Sequence, residues 1–515
     1  MRQPFETNYY IASAVVLLAL SGGMQVAGAD VVISAKATAN MDCGGGSCEP
    51  TAPDAVLNAK DLENLLAQDG NVRVMTTGQN VEATNIVVSA RVATPDSTSL
   101  TLDAVGAITV EAPVSIGSNT AELELQSGTG GTLGNISFGP KGHITFGSIS
   151  DLFNINGAVF QLAATLPDLA KAANARPAGF YALTNGYDAS ADGTYHSPPV
   201  GAAFTGYFEA LGNTISNLKI KAAEGEYLGL FAHLNGNGGF GVVRNLRLGN
   251  ASVVSDHASD IGAIAGFLEQ NAGILQSSAT GEVKTGDSSS AGGIVGFINS
   301  GSLVSSWSSA KVTAGNAFSD VGGLIGANAG TIRNSFATGD VSGGELSTAG
   351  GLVGYGGSIT GCFATGNVHT EGGGATAGGL LGDGGGVENS YAEGNVSGTS
   401  GGGGTNALGG LIGYADFSGF GNYSTGTVTG GGSDLVGGVI GMDITHHVYR
   451  HTYWDTTTSG LAQGAGRSRR DEKLKGLTSR RLRSGLPPGF STGVWTETEK
   501  INRGFPYLID NPPPK

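Results

Sequence analysis

Between Leu228 and Tyr453, apolar runs of strand length are separated by glycine, asparagine, serine and threonine, and the pattern repeats. One copy is "GGLIGANAGTIRNSFATGDVSG", Gly322 to Gly343. Its opening phrase returns as GAIAG at Gly262, GGIVG at Gly292, GGLVG at Gly350, GGLLG at Gly378, GGLIG at Gly409 and GGVIG at Gly437. The steps are 30, 30, 28, 28, 31 and 28 residues, and LGLFA at Leu228 is a degenerate earlier copy. A second phrase travels with it: SSATGEV at Ser277, SFATGDV at Ser335, CFATGNV at Cys362, SYAEGNV at Ser390 and NYSTGTV at Asn422. Apolar runs this short suit strands, and glycine-rich joints keep them from growing into helices. A unit of short strands with no helix buries a core only when stacked on copies of itself. The period therefore predicts an all-β solenoid whose coils pair through parallel ladders about 4.8 Å apart. A β-propeller also repeats, but its blades usually run about 40 residues or more.

Stacking assigns roles to the recurring residues. Glycine suits a corner where each coil turns sharply with φ > 0, and where close backbone approach leaves no room for a Cβ. Phe336, Phe363, Tyr391 and Tyr423 should form one column, and Val283, Val312, Val341, Val368, Val396 and Val428 another. Strand alternation leaves the inward parity open. An inward aromatic column would make Phe336 a buried position sensitive to charge, with Asn328 in a tolerant corner.

Residues 30–200 alternate with period two in "NIVVSARV", "SLTLDAV", "AITVEAPVSI" and "AELELQS", as further coils would. Two helical pieces interrupt them, "NAKDLENLLAQ" from Asn58 and "LPDLAKAANA" from Leu166. The first is placed to cap an open solenoid end, which is otherwise an unpaired edge. The organisation expected is a leader at 1–29, a β-rich region at 30–200 that continues the solenoid, the repeat solenoid at 201–455, and a capping tail at 456–515.

Composition adds constraints. The chain has 515 residues, 90 of them Gly, with 39% hydrophobic and 13% charged. That much patterned apolar surface belongs to a folding chain. The apolar stretch Ile11–Leu20 is too short to span a bilayer, and Ala27-Gly28-Ala29 after it resembles a signal-peptidase site. The chain is thus expected to be exported, maturing near Asp30, and not to be an integral membrane protein. Cys43 and Cys48 in "CGGGSC" are close enough to form a disulfide in an oxidising compartment, whereas Cys362 stands where other copies carry Ser335 or Ser390 and should be buried and inert. A net charge of −15 argues against nucleic-acid partners.

"GGLIGANAGTIRNSFATGDVSG" resembles the GLUG repeat of large bacterial surface proteins. "FTGYFEALGNTISNLKI" from Phe204 is similar to the segment that precedes such repeats. "TYWDTTTSG" at Thr452, "GLTSRRLRSGLPPGF" and "FPYLID" are similar to the segment that follows them in filamentous-haemagglutinin-like proteins, and "DLENLLAQDGNVRVMTTG" and "ISFGPKGHITFGS" resemble other parts of the same proteins. The resemblance covers most of the chain from about Asp61. It implies a right-handed parallel β-helix with short helical caps, secreted or on the bacterial cell surface, acting in adhesion toward a glycan or protein. The chain departs from the family in being short and in showing no recognisable secretion domain, barrel translocator or sortase-type anchor.

The search for chemistry is sparse. No HExxH, GxSxG or phosphate loop occurs, and the repeats lack the aspartates of calcium-binding arrays. The one His cluster, His446, His447 and His451 with Asp443, could supply ligands to a metal, and a polar turn leaving the last coil explains it more simply. Polysaccharide lyases and glycosidases also use β-helices, so such an enzyme is the alternative function; it needs carboxylates, often with a basic residue, on one face of neighbouring coils. Asp260 and Asp320 stand at matching places, but Ser290 lies between them. No catalytic residue, metal or cofactor is expected. The remaining candidate is basic: Arg467, Arg469, Arg470 and Lys473 open a run of eight Lys or Arg against two acids up to Arg483. Such a run is ordinarily solvated surface packing Leu474, Leu477 and Leu482, or else a contact for an anionic polymer.

Overall fold

The computed structural model describes residues 30–514 except 80, 130, 316, 400, 402–403, 445–448 and 469–472. The leader expected at 1–29 therefore lies outside the described residues, as do Arg469, Arg470, His446 and His447. Two sheets of 23 strands each dominate the molecule, the second beginning at Tyr187–Asp188, and nearly all their pairings are parallel. Gly292, Gly322, Gly350, Gly378, Gly409 and Gly437 stand directly above one another. The repeat period is one coil of a β-solenoid.

A typical coil has five short strands: Asp320–Gly322, Ile325–Asn328, Thr331–Arg333, Phe336–Ala337 and Val341–Gly343. The glycine phrase is a hairpin-tight corner between the first two. Its first glycine does not have a positive φ. What it lacks is space: a Cβ on Gly322, Gly350, Gly378, Gly409 or Gly437 would lie 1.8–2.0 Å from the carbonyl oxygen three residues on. Close approach alone explains the phrase, and the expected left-handed backbone sits elsewhere. It falls at the corner before the aromatic strand, where Gln276, Ser305, Asn334, Gly361, Asn389 and Gly421 have φ of 47–70°. Asparagine and glycine recur there because they tolerate this conformation best.

The valine column is buried as expected, Val283 through Val428 being 0–6% exposed. The aromatic column is not inward. Ser335 and Ala337 point into the core, and Phe336 between them points out and is half-buried. The interior is too thin for a ring here: Cβ atoms added to Gly323, Gly351 and Gly379 would meet the Cβ of Ala337, Ala364 and Ala392 at 2.9–3.0 Å. Asn328 differs from expectation too. It is buried, its Nδ2 donates to Gly357 O, and its Oδ1 accepts from Gly330 N.

Inside the corner runs a buried polar ladder. Ser306 Oγ accepts from Ser277 N, Ser335 Oγ from Ser306 N, Cys362 Sγ from Ser335 N, Ser390 Oγ from Cys362 N and Asn422 Oδ1 from Ser390 N. Each side chain satisfies an amide that the turn would otherwise leave unpaired. Cys362 is a member of this ladder, and burial pushes its thiol up to about 12.

Residues 31–155 form coils around a second core, which Phe160, Leu162, Ala182, Tyr207, Leu211 and Val242 also enter. Helix α1 (Ala59–Asp69) follows the edge strand Ala55–Asn58 and buries Leu62 and Leu66 in that core. Helix α2 (Leu166–Ala175) buries Leu166, Leu169 and Ala173 in the main core. At the far end Ala465–Arg467 and Leu474–Leu477 add a last partial coil. The chain then folds back along the outside. Leu482, Phe490, Trp495, Phe505 and Leu508 cover Phe363, Tyr391, Tyr423 and Tyr453, and Asn511 Nδ2 donates to Ser335 O and Gly361 O.

Candidate functional site

The glycine corner brings two outward ladders side by side. The strand before it carries Tyr227, Asp260, Ser290, Asp320, Thr348 and Thr376 in register. The strand after it carries His233, Phe267, Phe297, Ala327, Tyr355, Asp383, Tyr414 and Met442. The ladders touch: the rings of Tyr227 and Phe267 stack at 4.8 Å and 16°, and Phe267 meets Phe297 at 5.5 Å. Tyr227, Phe267, Phe297 and Tyr414 are half-buried, and Tyr355 is 48% exposed. From Phe267 to Tyr414 the strip crosses five coil steps, roughly 24 Å at the ladder spacing. Aromatic residues recur on it because these strand positions face outward beside the thin corner, where rings have space that the core denies them.

Carboxylates are interleaved with the rings. Asp383 sits between Tyr355 and Tyr414 on neighbouring coils. Burial pushes its carboxyl up to about 7, with Asp416 and Asp320 adding repulsion. Burial likewise pushes Asp260 up to about 7, with Glu226 and Asp320 adding, against a hydrogen bond from Ser290. Asp320 accepts from Thr348 Oγ1. Thus Asp260 and Asp320 do flank Ser290, but the acid that joins them comes from the other strand. Asp383 gave no signal in the sequence, because its partners are 33 and 63 residues away, Asp416 and Asp320, and only the stack shows them together.

These acids make stability pH-dependent in a stated direction. An Asp whose pKa is raised by folding favours the neutral form, so its contribution is complete below the unfolded value near 3.8 and is lost as pH rises toward about 7. The Asp260→Asn/Asp383→Asn variant is expected to exceed the parent at pH 8 by about 1–2 kcal/mol per site, allowing for partial exposure. Urea midpoints at pH 4, 6 and 8 check this; identical pH slopes in the two proteins would refute it.

Of the basic residues singled out from sequence, Arg467 and Lys473 are described, and they lie on different sheets. Arg467 pairs with Met442 and prolongs the second ladder. Lys473 lies beside the other sheet, near Tyr453 and Lys475. Cys43 and Cys48 face each other across the antiparallel hairpin Met41–Pro50, Cα–Cα 4.1 Å, and form a disulfide. Asp443 is buried and accepts from Ser468 Oγ. Among the described residues no group of three or more His, Cys, Asp or Glu is placed to hold a metal ion, and no helix is long and apolar enough to cross a membrane.

Over 108 residues, 21% of the chain, it is 41% identical to halomucin of Haloquadratum walsbyi, and this stretch spans 1% of halomucin. A crystal structure of a putative immunoglobulin A1 protease from Bacteroides ovatus aligns over 69% of this chain and 93% of its own, at 17% identity and a TM-score of 0.39. Residues 319–342, the coil of Gly322, match the family model described as the GLUG motif. The protein is a parallel β-solenoid that carries the GLUG motif.

Proposed function

We propose that this chain is a secreted or cell-surface, adhesin-like protein of the filamentous-haemagglutinin type, and that the strip beside the glycine corner binds an extracellular glycan. The strip itself carries the reading. Five half-exposed aromatic rings with interleaved carboxylates line one face over successive coils. A glycan chain offers apolar C–H faces for such rings and hydroxyl donors for such acids. The regular ladder suits a polymer, since equivalent positions return at every coil. The leader sequence and the Cys43–Cys48 disulfide support an oxidising, extracytoplasmic setting.

The test is a screen of the full chain on neutral and acidic glycans, followed by Tyr355→Ala/Tyr414→Ala. Loss of retention by about tenfold or more is expected, as for removal of central aromatic anchors. Unchanged retention would move the binding face elsewhere. A second reading, a polysaccharide-degrading enzyme, is favoured by one observation: Asp260 and Asp383 are pushed to about 7, where a carboxyl can act as a general acid. New reducing ends or unsaturated products from a bound glycan, abolished by Asp383→Asn, would establish it in place of adhesion.

A further inference from the structure

At the C-terminal end of the stack the last full coil and the partial coil above it meet in parallel register, Thr452 opposite Leu474 and Tyr453 opposite Lys475. Thr452 and Leu474 are buried. Alternation along each strand therefore turns His451 and Tyr453, and Lys473 and Lys475, toward the outer face. Arg450, His451, Tyr453, Lys473 and Lys475 together line a cavity of about 310 Å³. The folded-back tail closes one side: Tyr453 Oη donates to Pro488 O, its ring meets Phe490 at 5.8 Å, and Gly489 packs so tightly on the His451 ring that a Cβ would lie 2.2 Å from it.

Among the described residues no carboxylate lines this cavity, although the chain as a whole carries −15. Arg450, Lys473 and Lys475 form no ion pair among the described residues. Three cationic side chains and an imidazole thus converge, and among the described residues no acid faces them; a concave site strengthens their common field relative to flat surface. The remaining surface, rich in acids, disfavours a broad anionic sheet such as a membrane. The cavity volume lies at the small end of the range for ligand pockets, about 300 Å³ upward, and so fits a single compact group.

We infer that Arg450, His451, Lys473 and Lys475 form a binding site for one tetrahedral oxyanion, a sulfate or a phosphate, either free or as an ester on a larger molecule. Arg450 supplies a planar fork that can bind two oxygens, and the two lysines supply point charges from the coil above. Tyr453, fixed by Pro488, forms the floor. The site is separate from the aromatic strip: its strands stack on those of Tyr391 and Tyr423, whereas the rings from Phe267 to Tyr414 lie on the other large sheet. It differs from the run of basic residues apparent in the sequence: Arg450 and His451 precede that run, and Arg467 within it lies on the other sheet.

The test is calorimetric titration of the full chain at low ionic strength with sodium sulfate, sodium phosphate and a sulfated oligosaccharide. Saturable binding of at least one is expected, weakening as sodium chloride is added. Lys473→Gln/Lys475→Gln should weaken it by about tenfold or more, while Lys473→Arg/Lys475→Arg retains it. Arg467→Gln should leave it unchanged. All three substituted positions are exposed, and circular dichroism checks that each variant folds. Binding of the inorganic anions would identify a free-anion site; binding of the oligosaccharide alone would identify an ester site. Absence of saturable binding by the parent, or binding indifferent to the Gln pair, overturns the assignment.

Discussion

Replacing Gly350 with alanine is expected to destabilise the solenoid by roughly 3 kcal/mol or more, a large effect for one methyl group. The added Cβ would lie 1.8 Å from Val353 O and 2.8 Å from Gly382 N. Both are backbone atoms, so no rotamer change relieves the clash. Either the corner opens or the neighbouring coil moves away, and in both cases ladder hydrogen bonds such as Leu352 N to Leu380 O are strained. Gly432→Ala is the control, since nothing lies within 4 Å of its Cβ position. Urea denaturation of the two variants should show a lower midpoint for the first alone. Equal midpoints would mean that the phrase is not kept by lack of space.

Ala337→Asp is expected to be comparably severe, and Phe336→Asp much milder, although the two residues are adjacent. Ala337 is fully buried under Gly323 with no polar partner for a carboxylate. An uncompensated charge there costs about 3–5 kcal/mol. Phe336 is half-buried outside the coil, stacked on Phe363 at 4.7 Å and Trp307 at 5.7 Å. Its replacement removes stacking and some apolar cover, about 1–2 kcal/mol, while the new carboxylate reaches water. Hydrogen exchange of amides in coils 320–343 and 348–371 should report the difference locally, because each coil leans chiefly on its neighbours. A larger loss for Phe336→Asp would restore the inward aromatic column.

The coil architecture was legible because glycine, valine and aromatic residues return at a nearly fixed step, and a step of that size has few structural solutions. Parity was not. "NSFAT" offers Ser335 and Ala337 on one side and Phe336 on the other, and hydrophobicity alone assigns the ring to the core. What reverses the assignment is the thinness of the coil opposite Gly323, a property of two segments that sequence does not align. The phrase glycines were explained in half: their closeness to carbonyls was foreseen, but the left-handed corner belongs to Asn334, Asn389 and their equivalents. Of the candidate chemistry, Asp260 and Asp320 were visible as matching positions. Asp383, Tyr355 and Tyr414 belong to the next strand of the corner, and only stacking sets them beside those acids. The basic pocket was hidden for a similar reason, because Arg450 and Lys473 lie 23 residues apart in sequence and meet only across adjacent coils.

The tail that returns along the outer aromatic rings has a consequence for biogenesis. Its contacts join residues far apart in the chain, Arg503 to Glu393 and Asn511 to Ser335, separations of 110 and 176. In an array whose units mostly consult their neighbours, such ties make the last several coils rise and fall together. They also impose an order of events. Phe363, Tyr391, Tyr423 and Tyr453 are synthesised before the residues that cover them, so until Leu482 to Leu508 emerge the nascent chain bears an unshielded seam of stacked rings. A product truncated before Trp495 would carry that seam permanently, a sticky handle by which incomplete copies aggregate or are degraded while finished ones are not.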